Sequence, residues 1–197
     1  MMCLRRLLSY TGHRLSTEKY RVELLSRAHD RASFSCGEDA LDRYLKEAAG
    51  QDMRRGLAAV HVLIDVTAPN TIAGFYSLSA SGIPLDDFPE DIVARLPKYP
   101  SVPVSLVGRL ATDLRFQGQR CGLRLVVDAL MRSCTISEQL MGIHGVVVEA
   151  KSEGVVPFYK RFGFAQFKDS PLRLYIPIKT AREAVRPLLP GSPTGTD

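Results

Sequence analysis

The sequence predicts a mixed α/β fold of the α+β kind, a mostly antiparallel twisted sheet flanked by helices. Three observations carry this. An apolar hairpin pattern spans 58–66 and 71–81, joined by a turn at Ala68-Pro69-Asn70. A strand–turn–helix–strand run occupies 103–150. After a short helix at 154–163, FAQF and LRLYIPI read as closing strands.

The elements follow in order. Ser35 and Glu38 have the S-x-x-E spacing of a capping box. Leu41, Tyr44, Leu45 and Ala48 then fall on one helical face, with Asp42, Arg43, Lys46 and Glu47 opposite. That helix ends near Gly50 or continues to Gly56. Residues 82–103 are proline-rich, with room for a short helix between Asp87 and Leu96. PVSLVGRLAT (103–112) reads as a buried strand. Leu123, Val126, Val127 and Leu130 place a helix from about Gly122 to Thr135. GIHGVVVEA (142–150) is a strand, and Gly163 ends the helix over 154–163.

The chain has 197 residues and 45% hydrophobic content, enough for one domain at 20–180 with a real core. MMCLRRLLSYTGHRLST carries arginines and no acid, so 1–19 reads as a basic arm and not a secretory signal. Residues 181–197, ending RPLLPGSPTGTD, read as a disordered tail. No apolar run approaches the roughly 20 residues that span a bilayer. A net charge of +5 suits a polyanionic partner. Cys3, Cys36, Cys121 and Cys134 show neither CxxC pairing nor metal spacing, so they read as reduced thiols of a cytoplasmic protein with no metal site. His61 and His144 lie in strand patterns and read as structural.

The junction DLRFQGQRCGL (113–123) holds more glycine and arginine than a turn requires. A helix N-terminus offers unpaired N–H groups and a positive dipole end, and a preceding loop of inward amides can cradle phosphate. Gly118 and Gly122 allow close approach, and Arg115 and Arg120 add positive charge. The bland alternative is a strand-to-helix turn with solvated arginines.

This stretch resembles the acyl-CoA pyrophosphate loop of the GNAT acetyltransferase superfamily, (Q/R)-x-x-G-x-(G/A). Gln117 and Gly122 match its ends, while Arg120 stands where the middle glycine is usual. SEGVVPFYKRFGF (152–164) resembles the family's F-Y-x-x-x-G-F element through Phe158, Tyr159, Gly163 and Phe164. FSCGEDALDRYLKEAAGQDMRRGLA (34–58) is similar to the first helix of toxin-type GNATs of bacterial toxin–antitoxin modules, the TacT and AtaT kind. Cys36, Gly37, Leu41, Asp42, Tyr44 and Leu45 carry that signature, and VPVSLVGRLATD (102–113) mirrors another segment of the group.

The resemblance implies a GNAT fold whose splayed strands form an acetyl-CoA cleft. It implies pantetheine pairing along Leu110, Ala111 and Thr112. The pyrophosphate would lie on Arg115, Gln117, Gly118, Gln119, Arg120, Gly122 and Leu123, with Phe158 beside the cofactor. An N–H at or next to Leu110 would face the thioester carbonyl, and Tyr159 would be the general acid. No metal is implied. The acceptor amine would be that of aminoacyl-tRNA. An α-amine starts near pKa 7.7–8 and esterification lowers it, so little or no base is needed, although Glu149 could act through water. Arg43, Lys46, Arg54, Arg55, Lys151, Lys160 and Arg161 are candidates for tRNA phosphates, although for any one of them a solvated surface charge is the favoured reading. Arg109, inside the buried strand beside Leu110, needs a partner and is assigned to the acceptor cleft. A ribbon-helix-helix antitoxin is the implied partner, and a homodimer is compatible.

Two other readings stand beside this one. A GNAT enzyme of a small amine or protein lysine would not arrest growth when induced. A non-catalytic GNAT-fold binding module, suggested by Arg120, would not bind acetyl-CoA.

Overall fold

The computed structural model describes residues 19–94 and 96–186. The arm at 1–18 and residues 187–197 lie outside the described residues. In chain order come β1 (Tyr20–Leu24), α1 (Asp39–Arg43), a π-helical turn (Tyr44–Ala48), α2 (Ala49–Arg54), β2 (Ala59–Asp65) and β3 (Ala68–Pro84). They are followed by α3 (Glu90–Val93), β4 (Ser101–Thr112), α4 (Cys121–Gln139), β5 (Gly145–Glu149), α5 (Val156–Lys160), β6 (Ala165–Gln166), β7 (Arg173–Pro177) and α6 (Ile178–Val185). The strands hydrogen-bond in the order β1-β2-β3-β4-β5-β7-β6. The pairs β1/β2, β2/β3, β5/β7 and β6/β7 are antiparallel. This is the mixed α/β architecture that the sequence predicts.

Three features differ from expectation. β1 was not predicted, because YRVEL is an edge strand carrying Arg21 and Glu23, with only Tyr20 buried. Helix α6 corrects the start of the expected tail. Ala181, Ala184 and Val185 bury one face of it, so ordered structure reaches Arg186. The capping box is also corrected. Gly37 takes φ +82, which breaks the helical path, and Glu38 becomes the N-cap. Asp42 reaches back instead, accepting from Cys36 N (2.8 Å) and Ser35 Oγ (3.0 Å).

The chain packs as two compact units. Among the described residues, the first comprises 19–79 and Val107–Ala129. Its core gathers Phe34, Leu45, Val60, Val62, Ile72, Phe75 and Ala111. Gly74 is required there, because a Cβ would stand 2.8 Å from Ala111 O and 2.9 Å from Leu125 Cδ1. The end of β4 and the start of α4 therefore close onto β3, and Asp113 N donates to Ala73 O at 3.0 Å. The second unit comprises Ala80–Leu106 and 130–186, without residue 95. Phe88, Val104, Val147, Phe167 and Tyr175 form its core.

Candidate active site

In the first unit, β4 alternates to its end: Leu110 and Thr112 are half-buried and Ala111 is buried. The chain then turns on Asp113, whose side chain is 1% exposed. Asp113 Oδ1 accepts from Arg115 N (2.9 Å) and Nε (2.8 Å). Its Oδ2 accepts from Arg115 Nη2 (2.8 Å) and Ser35 N (3.1 Å). Burial pushes this carboxyl up, but the bonds from Arg115 and Ser35 outweigh it and hold the group below the usual carboxylate range. Arg115 thus partners a buried carboxylate through two of its guanidinium nitrogens, Nε and Nη2.

Past a 3₁₀ turn (Leu114–Phe116), the backbone becomes left-handed twice, at Gly118 (φ +76) and Arg120 (φ +60). Arg120 therefore holds a left-handed conformation that glycine adopts freely, at a cost of roughly 1–2 kcal/mol for an L-residue. A Cβ at Gly118 would meet nothing within 4 Å, so the loop is open there. The Gln119 side chain braces the loop and is not a free ligand. Its Oε1 accepts from Tyr20 Oη (2.6 Å), and its Nε2 donates to Arg115 O (3.2 Å). The Gln117 and Gln119 amides make long bonds, both 3.4 Å, to Leu114 O and Phe116 O. Arg124 N donates to Arg120 O (3.2 Å), which places the amides of Cys121, Gly122 and Leu123 at the N-terminal turn of α4. There a helix has no i−4 carbonyl to offer, and the geometry suits an anion.

In the second unit, Tyr159 lies on α5, 4% exposed, with Phe158 and Phe164 edge-to-face at 5.1 and 5.7 Å. Burial pushes its phenol up to about 12, so it stays protonated across the physiological range. It can donate a proton or hydrogen bond and cannot serve as a base. Glu149, Lys151, Lys160 and Arg161 are exposed.

Arg43, Lys46, Arg54 and Arg55 are exposed along α1, the π-turn and the end of α2. Arg109 is corrected: it is exposed, and its guanidinium lies 3.9 Å from the Tyr44 ring centroid. Tyr44 in turn stacks on Phe75 at 6.2 Å and 24°. His61 is buried and stacks on Tyr76 at 4.9 Å. His144 stacks on Tyr175 at 6.1 Å, and burial lowers its pKa. Both histidines have the surroundings of packing residues. Cys36, Cys121 and Cys134 are buried free thiols. Burial, then Asp42, pushes Cys36 up to about 11, so no reactive thiolate arises there. Asp113, Tyr20 and Tyr44 were missed as organisers. An acid two residues before Arg115 is the one signal that could have pointed to Asp113.

A seven-stranded sheet with a strand–loop–helix junction at β4–α4 is the architecture of the GNAT acetyltransferase class. No family model matches the chain. It is 30% identical over 161 residues to "Probable toxin TacT" of Sinorhizobium fredii, covering 78% of this chain and 88% of the relative. It is 32% identical over 161 residues to "tRNA-acetylating toxin" of Mycobacterium tuberculosis, covering 82% and 93%. Among solved structures, AtaT complexed with acetyl-methionyl-tRNAfMet has a TM-score of 0.75 at 28% identity, covering 86% of this chain and 98% of that one. A variant of AtaT bound to the C-terminus of the antitoxin AtaR and to acetyl-CoA has a TM-score of 0.70 at 27% identity, covering 84% and 97%. The chain belongs to the TacT/AtaT family of GNAT toxins. Among the described residues, no helix is long and apolar enough to cross a membrane.

Proposed function

We propose that this chain transfers the acetyl group of acetyl-CoA to the α-amino group of aminoacyl-tRNA and thereby blocks translation in the cytoplasm. The observation that carries the reading is the β4–α4 loop. Its left-handed residues 118 and 120, its Asp113-ordered turn and the N-terminal amides of α4 suit a pyrophosphate. The 32% identity to a tRNA-acetylating toxin supplies the acceptor class.

Acetyl-CoA supplies an activated acyl thioester. The amides of Gly118, Gly122 and Leu123 bind its pyrophosphate, and Gln117, Gln119 and Arg120 shape the loop around it. Arg115 acts from behind, by ordering the turn through Asp113. The backbone of Leu110, Ala111 and Thr112 pairs with the pantetheine arm, and Phe158 packs beside it. An N–H at or next to Leu110 stabilises the oxyanion, a contact of the kind worth about 10²–10³-fold in rate. The amine nitrogen forms the new C–N bond, the C–S bond breaks, and the proton lost from nitrogen is restored at sulfur. Tyr159, protonated at the start of the step, hydrogen-bonds the departing sulfur, passes it a proton and is reprotonated by the proton that the amine nitrogen loses. An α-amine near pKa 7.7–8 or lower needs no dedicated base, so Glu149 has at most a water-mediated part.

Arg43, Lys46, Arg54, Arg55, Arg109, Lys151, Lys160 and Arg161 contribute positive charge toward tRNA phosphates. An antitoxin of the ribbon-helix-helix class is the proposed protein partner, and a homodimer fits the same reading. Incubation with labelled acetyl-CoA, total charged tRNA, small amines and bulk protein tests the proposal. Label in charged tRNA is expected. Label confined to small amines or protein would replace this reading with the other GNAT chemistry.

A further inference from the structure

Three arginines gather at a place the loop chemistry does not use. A hollow of about 260 Å³ in the first unit is lined by Leu25, Ser26, Arg27, Arg31, Gly50, Met53 and Arg54. Arg31 and Arg54 converge on Gly50: a Cβ there would lie 3.2 Å from Arg31 Nη1 and 3.4 Å from Arg54 Nη1. Any larger residue at position 50 would push the two guanidinium groups aside. Among the described residues, no carboxylate pairs with Arg27, Arg31 or Arg54. Like charges brought together without a counter-charge repel, and an anion between them reverses that term.

The loop that carries Arg27 and Arg31 is braced. His29, 5% exposed, accepts from Ser26 N through Nδ1 (2.9 Å), which leaves Nε2 as the donor to Glu23 Oε1 (2.9 Å). Asp30 N donates to Asn70 O (2.8 Å), and Asp30 Oδ1 accepts from Ala32 N (3.0 Å) and Ser33 N (3.2 Å). Leu25 and Met53 give the arginine stems an apolar floor. A second hollow shares Arg31 and adds Lys46, alongside Asp30. Arg31 therefore borders both hollows, and a polyanion offers them successive charges where a single carboxylate offers one.

We propose that Arg27, Arg31 and Arg54 around Gly50 form a phosphate-binding pocket for the ribose-phosphate backbone of the acceptor RNA. This rests on the aminoacyl-tRNA reading and adds to it a defined subsite with two arginines, Arg27 and Arg31, outside the sequence-based set. Arginine forks match phosphate oxygens in pairs, and the pocket orients the RNA helix while the amine is presented elsewhere.

The test uses full-length protein with Arg27→Gln, Arg31→Gln and the double substitution, each checked for unchanged thermal unfolding. Steady-state acetylation of charged tRNA is measured across ionic strength, beside acetylation of a 3′-aminoacyl-adenosine that has no RNA helix. The expected result is a KM for charged tRNA raised about fivefold or more per arginine. The slope of log(1/KM) against log salt should shallow by about 0.7–0.9 per lost contact. KM for acetyl-CoA and turnover of the short acceptor should stay put. Fluorescence anisotropy with an acceptor-stem RNA hairpin reads the same pocket without catalysis, so the phosphate claim is decided even if no acetylation is seen. Wild-type affinity and salt slope in the double variant overturn it. Unchanged RNA kinetics with lost inhibition by an antitoxin C-terminal peptide would also overturn it, and would assign the pocket to an acidic peptide.

Discussion

Replacing Asp113 should loosen the β4–α4 loop and weaken acetyl-CoA binding together. The carboxylate is 1% exposed and accepts from two backbone N–H groups, Arg115 N and Ser35 N, and from two guanidinium nitrogens of Arg115. The guanidinium side is 51% exposed, so solvent receives it when the partner is removed, and the ion pair itself contributes about 1 kcal/mol or less. The two backbone bonds to a charged acceptor are each worth about 1.5–3 kcal/mol. Asp113→Ala should therefore cost about 3–5 kcal/mol, and Asp113→Asn, which keeps one carbonyl acceptor, about half as much. For a chain of this size that is a Tm drop of roughly 6–20 °C for alanine. The pH dependence has a defined sign. A carboxyl held below its unfolded pKa contributes stability above that unfolded value, and loses it as pH falls through the folded value. Wild type should lose this contribution below about pH 4, and the asparagine variant should lack that part of the acid limb. Thermal unfolding from pH 3 to 7, with KM for acetyl-CoA at pH 7, reads both effects. A variant with wild-type Tm and wild-type KM would refute the role given to Asp113.

Other expectations follow from the same geometry. Arg120→Gly removes the left-handed strain and should raise Tm by about 2–4 °C, the equivalent of about 1 kcal/mol. A simultaneous rise in KM for acetyl-CoA would mark its guanidinium as a phosphate ligand, and an unchanged KM would mark it as none. Gly74→Ala places a methyl 2.8 Å from Ala111 O and should destabilise by about 1–3 kcal/mol in urea unfolding. Because burial holds Tyr159 up at about 12, kcat/KM should rise to a plateau as the acceptor amine deprotonates, near pH 7–8, and show no fall below about pH 10. An alkaline limb at pH 8–9 would contradict its assignment as a buried, protonated donor.

The strand–loop–helix junction at 113–123 was legible because three independent patterns meet there: an apolar strand, a glycine-bearing junction and a helical periodicity. Each is local in sequence. What escaped depends on parity or distant contacts. Arg109 looked buried because its neighbours are apolar, but Gly108 hides the strand alternation, and position 109 falls on the exposed face. Arg115 looked free because its acceptor, Asp113, precedes it by two residues and is itself fixed by Ser35, 78 residues away. The π-helical turn at Tyr44–Ala48 has no composition signal. Arg27 and Arg31 carry no motif, and only folding brings them to Gly50. β1 and α6 were missed because edge charge and a proline-rich surround conceal short amphipathic elements.

The central claim is acetyl transfer to the amine of charged tRNA with Tyr159 as the donor to sulfur. Nuclease digestion of charged tRNA after incubation with acetyl-CoA, followed by mass spectrometry of the released aminoacyl-adenosine, tests it most directly. The wild type should yield N-acetyl-aminoacyl-adenosine, and Tyr159→Phe should yield at least tenfold less, with acetyl-CoA binding intact. Unmodified aminoacyl-adenosine from the wild type, or equal acetylation by Tyr159→Phe, would contradict the account.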